Sequence, residues 1–179
     1  MTLIISFHSN NFAGKSGPTG QTGTQGPSGP KGERGETPGV AGPAPQTSAF
    51  TVGRTSPQSG NNGDILLFTT THSNIGADFN VATGKFTCRI PGIYSFSFHI
   101  MFVRESPNGQ IQLQKNNQGI VSVYHDGDAQ TYATESNGAI LQLEVGDEVL
   151  LQFVDYHTGE VHDNVSHFTS FSGFLLQAM

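Results

Sequence analysis

Few groups in this 179-residue chain have the type and spacing to do chemistry. Of its seven histidines, His157, His162 and His167 recur every five positions. That interval neither lines up one strand face nor matches the ligand spacing of a zinc-binding helix. The stretch "HDGDAQTYATESNG" holds Asp126, Asp128 and Glu135, hard oxygen donors of the kind calcium takes. It lacks EF-hand spacing, and solvated loop carboxylates are the simpler reading. The single cysteine, Cys88, excludes an intrachain disulfide and reads as a small buried apolar residue rather than a reactive thiol. Asn164 opens "NVS", the acceptor triplet for an N-linked glycan. No nucleophile motif, phosphate loop or pair of catalytic carboxylates is present, so the chain is not expected to be an enzyme.

The elements around these groups begin with a repeat. Gly14, Gly17, Gly20, Gly23, Gly26, Gly29, Gly32 and Gly35 stand at every third position. Strict Gly-X-Y spacing is the mark of a collagen triple helix, where only hydrogen fits as the side chain facing the axis. A flexible Gly/Ser/Pro linker has no need of the register. The ordered length would be about 75 Å at ~3.1 Å per residue. No Y position holds proline, and the charges of "PKGERGE" are exposed, so pairs between chains add only ~0–1 kcal/mol each. So short a helix is expected to be weak alone, and something downstream must hold three chains together. Pro38 slips the register, and residues 38–46 read as the junction to a different fold.

Three segments follow: residues 1–13, with no ordered element expected, a collagen-like stalk and junction over 14–45, and a globular head over 46–179. The opening "MTLIISFHSNNFAG" lacks the basic start and long apolar run of a signal peptide. No apolar run approaches the ~20 residues of a membrane-spanning helix. From residue 46 onward, five Lys and Arg face twelve Asp and Glu, a formal charge of −7. Such an acidic head argues against nucleic acid as a partner.

Within the head, short runs alternate apolar and polar residues between Gly, Pro, Asn and Asp clusters. Strands are expected at 49–52, 64–69, 85–88, 92–103, 110–115, 120–125, 138–145, 148–154 and 168–176. The segments "SPQSGNNGD" and "HTGE" read as turns. Tyr94, Phe96 and Phe98 share one strand face, and Phe174 and Leu176 share another; both sets are expected to pack in the core. The pattern predicts an all-β antiparallel sandwich or jelly roll.

The spacing of Phe68, Asn74, Phe79, Phe86, Gly92, Tyr94, Phe96 and Phe98, with "FSGFLL" carrying Gly173 and Phe174, resembles the globular-head domain of complement subcomponent 1q. "AFTV", "ATGKFTC" and "GAILQLEVGDEV" add to the likeness, which covers about 47–179 and follows a collagen-like stalk, as in adiponectin. The resemblance implies a ten-stranded jelly roll of the tumour necrosis factor type and a tightly packed homotrimer, the clamp the stalk needs, with higher oligomers built on it. It also implies secretion, calcium near the trimer axis in some relatives, and an unidentified protein, glycan or microbial-surface ligand. Two function classes follow: a secreted ligand-recognition or signalling trimer, of innate-immune or adiponectin-like kind, and a structural short-chain collagen-like matrix unit. The short stalk disfavours the second.

Overall fold

The computed structural model describes residues 14–21, 23–27, 46–103, 108–126, 131–154 and 159–179. The chain divides into two compact units, Met1–Gly42 and Pro43–Met179. In the first, the described residues form no helix, strand or turn. A Cβ built on Gly14, Gly17, Gly20, Gly23 or Gly26 would meet nothing within 4 Å. No contact within one chain therefore asks for glycine there. Gly29, Gly32, Gly35 and the Pro38 junction lie outside the described residues.

The second unit is all β. Its strands are β1 Ala49–Gly53, β2 Gln58–Gly60, β3 Thr70–Ile75, β4 Phe79–Asn80, β5 Lys85–Thr87, β6 Gly92–Phe102, β7 Gly109–Lys115, β8 Gln118–His125, β9 Ala133–Leu143, β10 Glu148–Val154, β11 Gly159–His162 and β12 Ser170–Ala178. One sheet runs β2-β11-β6-β12-β1-β3 with β9 on the other edge of β6, and the second runs β4-β5-β10-β7-β8. Every pairing is antiparallel, and together the sheets form a jelly-roll sandwich. The short ladders β2 and β4 bring the ten expected strands to twelve among the described residues.

Three segments depart from the sequence expectation. Residues 64–69 make one isolated bridge, Ile65 to Gln152, instead of a strand. Their alternation is nonetheless real, since Leu66 and Phe68 are buried. The strand falls next door in β3, whose polar "TTHSNI" carries no alternating signal because neither face is fully buried. β2 and β11 occupy parts of "SPQSGNNGD" and "HTGE", where turn-forming residues hide a ladder between Gln58–Gly60 and Val161–Gly159. The β7–β8 hairpin follows its turn chemistry: Asn116 and Asn117 both have positive φ, as a two-residue type I′ turn demands.

The core is built mainly from phenylalanine. Along β6, Tyr94, Phe96, Phe98, Ile100 and Phe102 all point inward and are buried. Phe50 stacks on Phe79 at 4.6 Å and meets Phe171 edge-on at 5.0 Å, while Phe86 meets Phe96 at 5.5 Å. Gly173 sits in this cluster because a Cβ there would lie 2.6 Å from the rings of both Phe50 and Phe96. At Gly92 a Cβ would run into the Gln177 carbonyl of the paired strand. Asn74 works as a clamp rather than a core residue. Its amide donates to the Phe79 carbonyl at 2.8 Å and accepts from the Phe79 N–H at 3.2 Å.

Phe174 and Leu176 must be corrected. They are 48% and 51% exposed. Phe171 points inward, so Gly173 shares its face and Phe174 takes the opposite one, by the period of two.

The β9–β10 turn shows how polar groups close the sandwich. Gly146 supplies positive φ. The Asp147 carboxylate accepts the Glu144 N–H at 2.9 Å, an Asn116 amide at 2.8 Å and a Lys115 ion pair at 2.9 Å. The Glu144 backbone bond first, then Lys115 and Asn116, hold its pKa down to about 2. The folded value lies below the unfolded one, so this contribution is full above about pH 4 and fades as pH falls toward 2. Asp147→Asn should cost about 1–3 kcal/mol at pH 7. It should also flatten the loss of stability between pH 4 and 2 relative to the parent chain, read by urea unfolding at each pH.

Candidate functional site

The two broad surfaces of the head are set by strand register. On the outer face of the seven-stranded sheet, Ile75 pairs with Ala49, Ala49 with Phe174, Phe174 with Ser95, and Ser95 with Ile140. Directly opposed residues share a face, so these five form one row across β3, β1, β12, β6 and β9. Ile75 is 53% and Ile140 68% exposed, which with Phe174 makes an apolar band open to solvent. The next row, Ser73, Thr51, Ser172, Ser97 and Gly138, is small and polar, with Ser172 Oγ donating to Thr51 Oγ1 at 3.1 Å. Beyond it His99 Nδ1 lies 2.6 Å from Ser136 Oγ. The eleven-residue β9 pairs only with β6 among the described strands. Lys115 from the other sheet donates to the Gln142 carbonyl at 2.9 Å, and Asn137 donates to the Ser122 carbonyl at 2.9 Å. These two contacts tie β9 to the second sheet.

At the other end of β1 and β12, two loops are bound together by buried charge. Arg54 is buried, and its guanidinium donates to the carbonyls of Ser56, Pro57 and Leu67 and to the Gln58 amide oxygen. Burial pulls its pKa below the ordinary arginine value, and the Asp163 charge opposes that. Asp163, also buried, accepts the N–H groups of Asn164, Phe168 and Thr169 at 2.6, 3.0 and 2.8 Å. His167 Nδ1 donates to the Arg54 carbonyl at 2.6 Å, and its ring meets His72 edge-on at 4.9 Å. Val165 at the tip of this loop is 82% exposed. Nothing in a single sequence marks Arg54 and Asp163 as partners, because they come from opposite ends of the head.

The remaining candidates are placed separately. His162 packs on Tyr132 at 4.8 Å, away from the His167–His72 pair, and His157 lies outside the described residues. Asp126 and Glu135 are exposed, and both act on His125. The buried His125 ring stacks on Phe102 at 4.9 Å with Nε2 unpartnered, and burial lowers its pKa against the pull of those two carboxylates. Asp128 lies outside the described residues, and no group of three metal-ligating side chains occurs among those described. Two carboxylates are the right donor chemistry for calcium but fall short of its six to eight oxygens. Cys88 is buried, its thiol donates to the Ile90 carbonyl at 3.2 Å, and burial pushes its pKa up. Tyr94 donates to the same carbonyl at 2.7 Å and is pushed up to about 12, chiefly by burial. Both are packing groups. Asn164 is exposed.

Residues 49–176 match the family model of the C1q domain. The chain belongs to the C1q domain family. Its head is 39% identical over 129 residues to a subunit of the complement C1q subcomponent of Rattus norvegicus, covering 72% of this chain and 50% of that one. It is 38% identical over 111 residues to Caprin-2 of Danio rerio, covering 62% and 12%, and 33% identical over 116 residues to complement C1q tumor necrosis factor-related protein 3 of Mus musculus, covering 65% and 46%. The matches thus span between 12% and 50% of these relatives' own lengths. Among solved structures, the globular domain of zebrafish complement 1qA protein superposes with a TM-score of 0.63 at 24% identity, covering 74% of this chain and 99% of that one. Eiger TNF from S. frugiperda gives 0.60 at 9%, covering 74% and 93%, a likeness of fold alone. C1q domains are ligand-binding modules and not enzymes. Among the described residues no helix is long and apolar enough to cross a membrane.

Asp163→Ala removes the acceptor of three backbone N–H groups and strips the buried Arg54 of its nearby anion. The expected cost is about 3–5 kcal/mol in chemical denaturation, the range for breaking a buried pair. In the folded fraction, faster hydrogen exchange should be confined to residues 164–169 and their Arg54 neighbours.

Proposed function

We propose that three copies of this chain assemble through the outer face of the seven-stranded sheet into a secreted trimer that recognises ligands or signals. The observation that carries the reading is the exposed apolar row Ile75, Ala49, Phe174, Ser95 and Ile140. A contiguous apolar band of this kind on a soluble domain marks an interaction surface. The polar row beside it limits the apolar contact to one end of the strands. The Gly-X-Y register supports the same stoichiometry, since only a three-chain helix requires it. A clamped head lowers the loop-closure cost of winding the short stalk. Three weak sites on one particle then give useful avidity for a repeated protein, glycan or microbial-surface ligand. The loop end held by Arg54 and Asp163 is a rigid platform for such contacts, whether of innate-immune or receptor-ligand kind.

Sedimentation equilibrium of the full chain tests this. The parent chain should weigh three times the 19.0 kDa of one chain. Ile140→Glu, which replaces an exposed side chain, should weaken association at least a hundredfold and leave the thermal midpoint of the diluted monomer unchanged. A monomeric parent chain overturns the trimer. Addition of a chelator tests calcium at the axis: dissociation would assign the metal a holding role beside Asp126 and Glu135, and an unchanged mass would leave those carboxylates as solvated loop groups.

A further inference from the structure

We infer that Asn164 is an N-glycosylation site whose local structure is already shaped to carry a glycan; this rests on the reading of the chain as secreted. The triplet Asn164–Val165–Ser166 satisfies the acceptor rule, but a triplet alone is common. Its placement adds three independent observations. First, the triplet forms the tip of a loop whose base is fixed from below. The Asp163 carboxylate is buried and takes the N–H groups on both sides of the tip, Asn164 on one and Phe168 and Thr169 on the other. Thr169 Oγ1 further donates to the His162 carbonyl at 3.0 Å, closing the same base. A bulky group on the tip therefore displaces no core contact.

Second, the Asn164 side chain is exposed, and its Oδ1 accepts the Ser166 N–H at 2.7 Å. That bond occupies the oxygen side of the amide and leaves Nδ2, the atom that takes the sugar, as the other group on the same carbon. Third, Val165 is the most exposed of the large apolar residues described in the head, and Phe168 beside it is partly exposed. A branched aliphatic side chain left almost wholly in water gains nothing from the fold as it stands. A sugar on its neighbour would cover it. The loop also lies beyond Ser170, the end of β12 remote from Phe174, so the glycan stays clear of the apolar row.

The modification is a substitution at the sugar's anomeric carbon. The donor is an oligosaccharide carried on a polyprenyl diphosphate. The bond between that carbon and the diphosphate oxygen breaks, the bond to Asn164 Nδ2 forms, one amide proton is lost, and the lipid diphosphate leaves with the electron pair. No redox partner is needed.

The test is expression of the full chain behind a heterologous leader in a eukaryotic secretory host. Intact mass and peptide mapping are recorded on both the medium and the cell lysate, before and after a glycan-releasing amidase. The expected result is one glycan, with release converting Asn164 to aspartate. Asn164→Gln and Ser166→Ala should abolish it, and Ser166→Thr should keep it. Asn164 found bare in the parent chain, in either fraction, overturns the inference. Failure to reach the medium with Asn164 occupied counts against the secreted reading and supports the site.

Discussion

The rest of the head depends on β6 being paired along both edges while its side chains alternate strictly between two environments. β9 covers one edge for its whole length, and β12 followed by β11 covers the other. No edge of β6 is left to slip, so its register is fixed from both sides. Its inward set, Tyr94 through Phe102, makes the aromatic core against Phe50, Phe86 and Phe171. Its outward set begins with Ile93 and Ser95 and passes to Ser97, His99 and Met101. The same alternation that builds the core thus lays out the gradient, from apolar to polar, on the surface assigned to self-association. A one-residue slip would expose the large inward side chains and bury a histidine.

That alternation explains what could be read from the sequence. Strands with one wet face and one dry face, such as β6 and β10, announce themselves by period two. The signature residues are legible for the same reason, and the structure gives each a physical role. Gly173 and Gly92 make room for neighbouring groups, and Asn74 holds the Phe79 backbone. Phe174 is the instructive exception. Its parity relative to Phe171 is present in "FSGF", yet residue type suggests core packing for both. An aromatic on the outward parity is the signal of an interface, since burial within one chain is impossible there without breaking the pleat.

Other features left no local trace. β3 is wet on both faces and β2 is three residues long, so neither produces a hydrophobic period. The Arg54–Asp163 arrangement joins segments that meet only after the sheets have formed. Its partners are mostly backbone groups, which every residue carries, so composition does not reveal them. A buried charged pair of this kind adds little net stability, but it fixes the geometry of both loops, because each loose carbonyl or N–H group would otherwise be stranded. The fold was therefore more legible than the loop end.

Two parts of the chain ask for something one copy does not provide. In a single chain, nothing lies within 4 Å of where a side chain would stand on the described repeat glycines, so their regular recurrence has no cause there. In the head, a row of large apolar side chains stands in water on a strand face that the pleat forbids from turning inward. Each anomaly disappears if other copies supply the missing neighbours. For the repeat the number of copies is fixed at three by the geometry of the helix. For the head the constraint is weaker, since an apolar row alone fits a dimer as well. In the proposed assembly the stalk thus specifies the count and the head supplies the affinity. A short stalk without Y-position proline has too little stability to assemble first, so the order of assembly must run from the head toward the stalk.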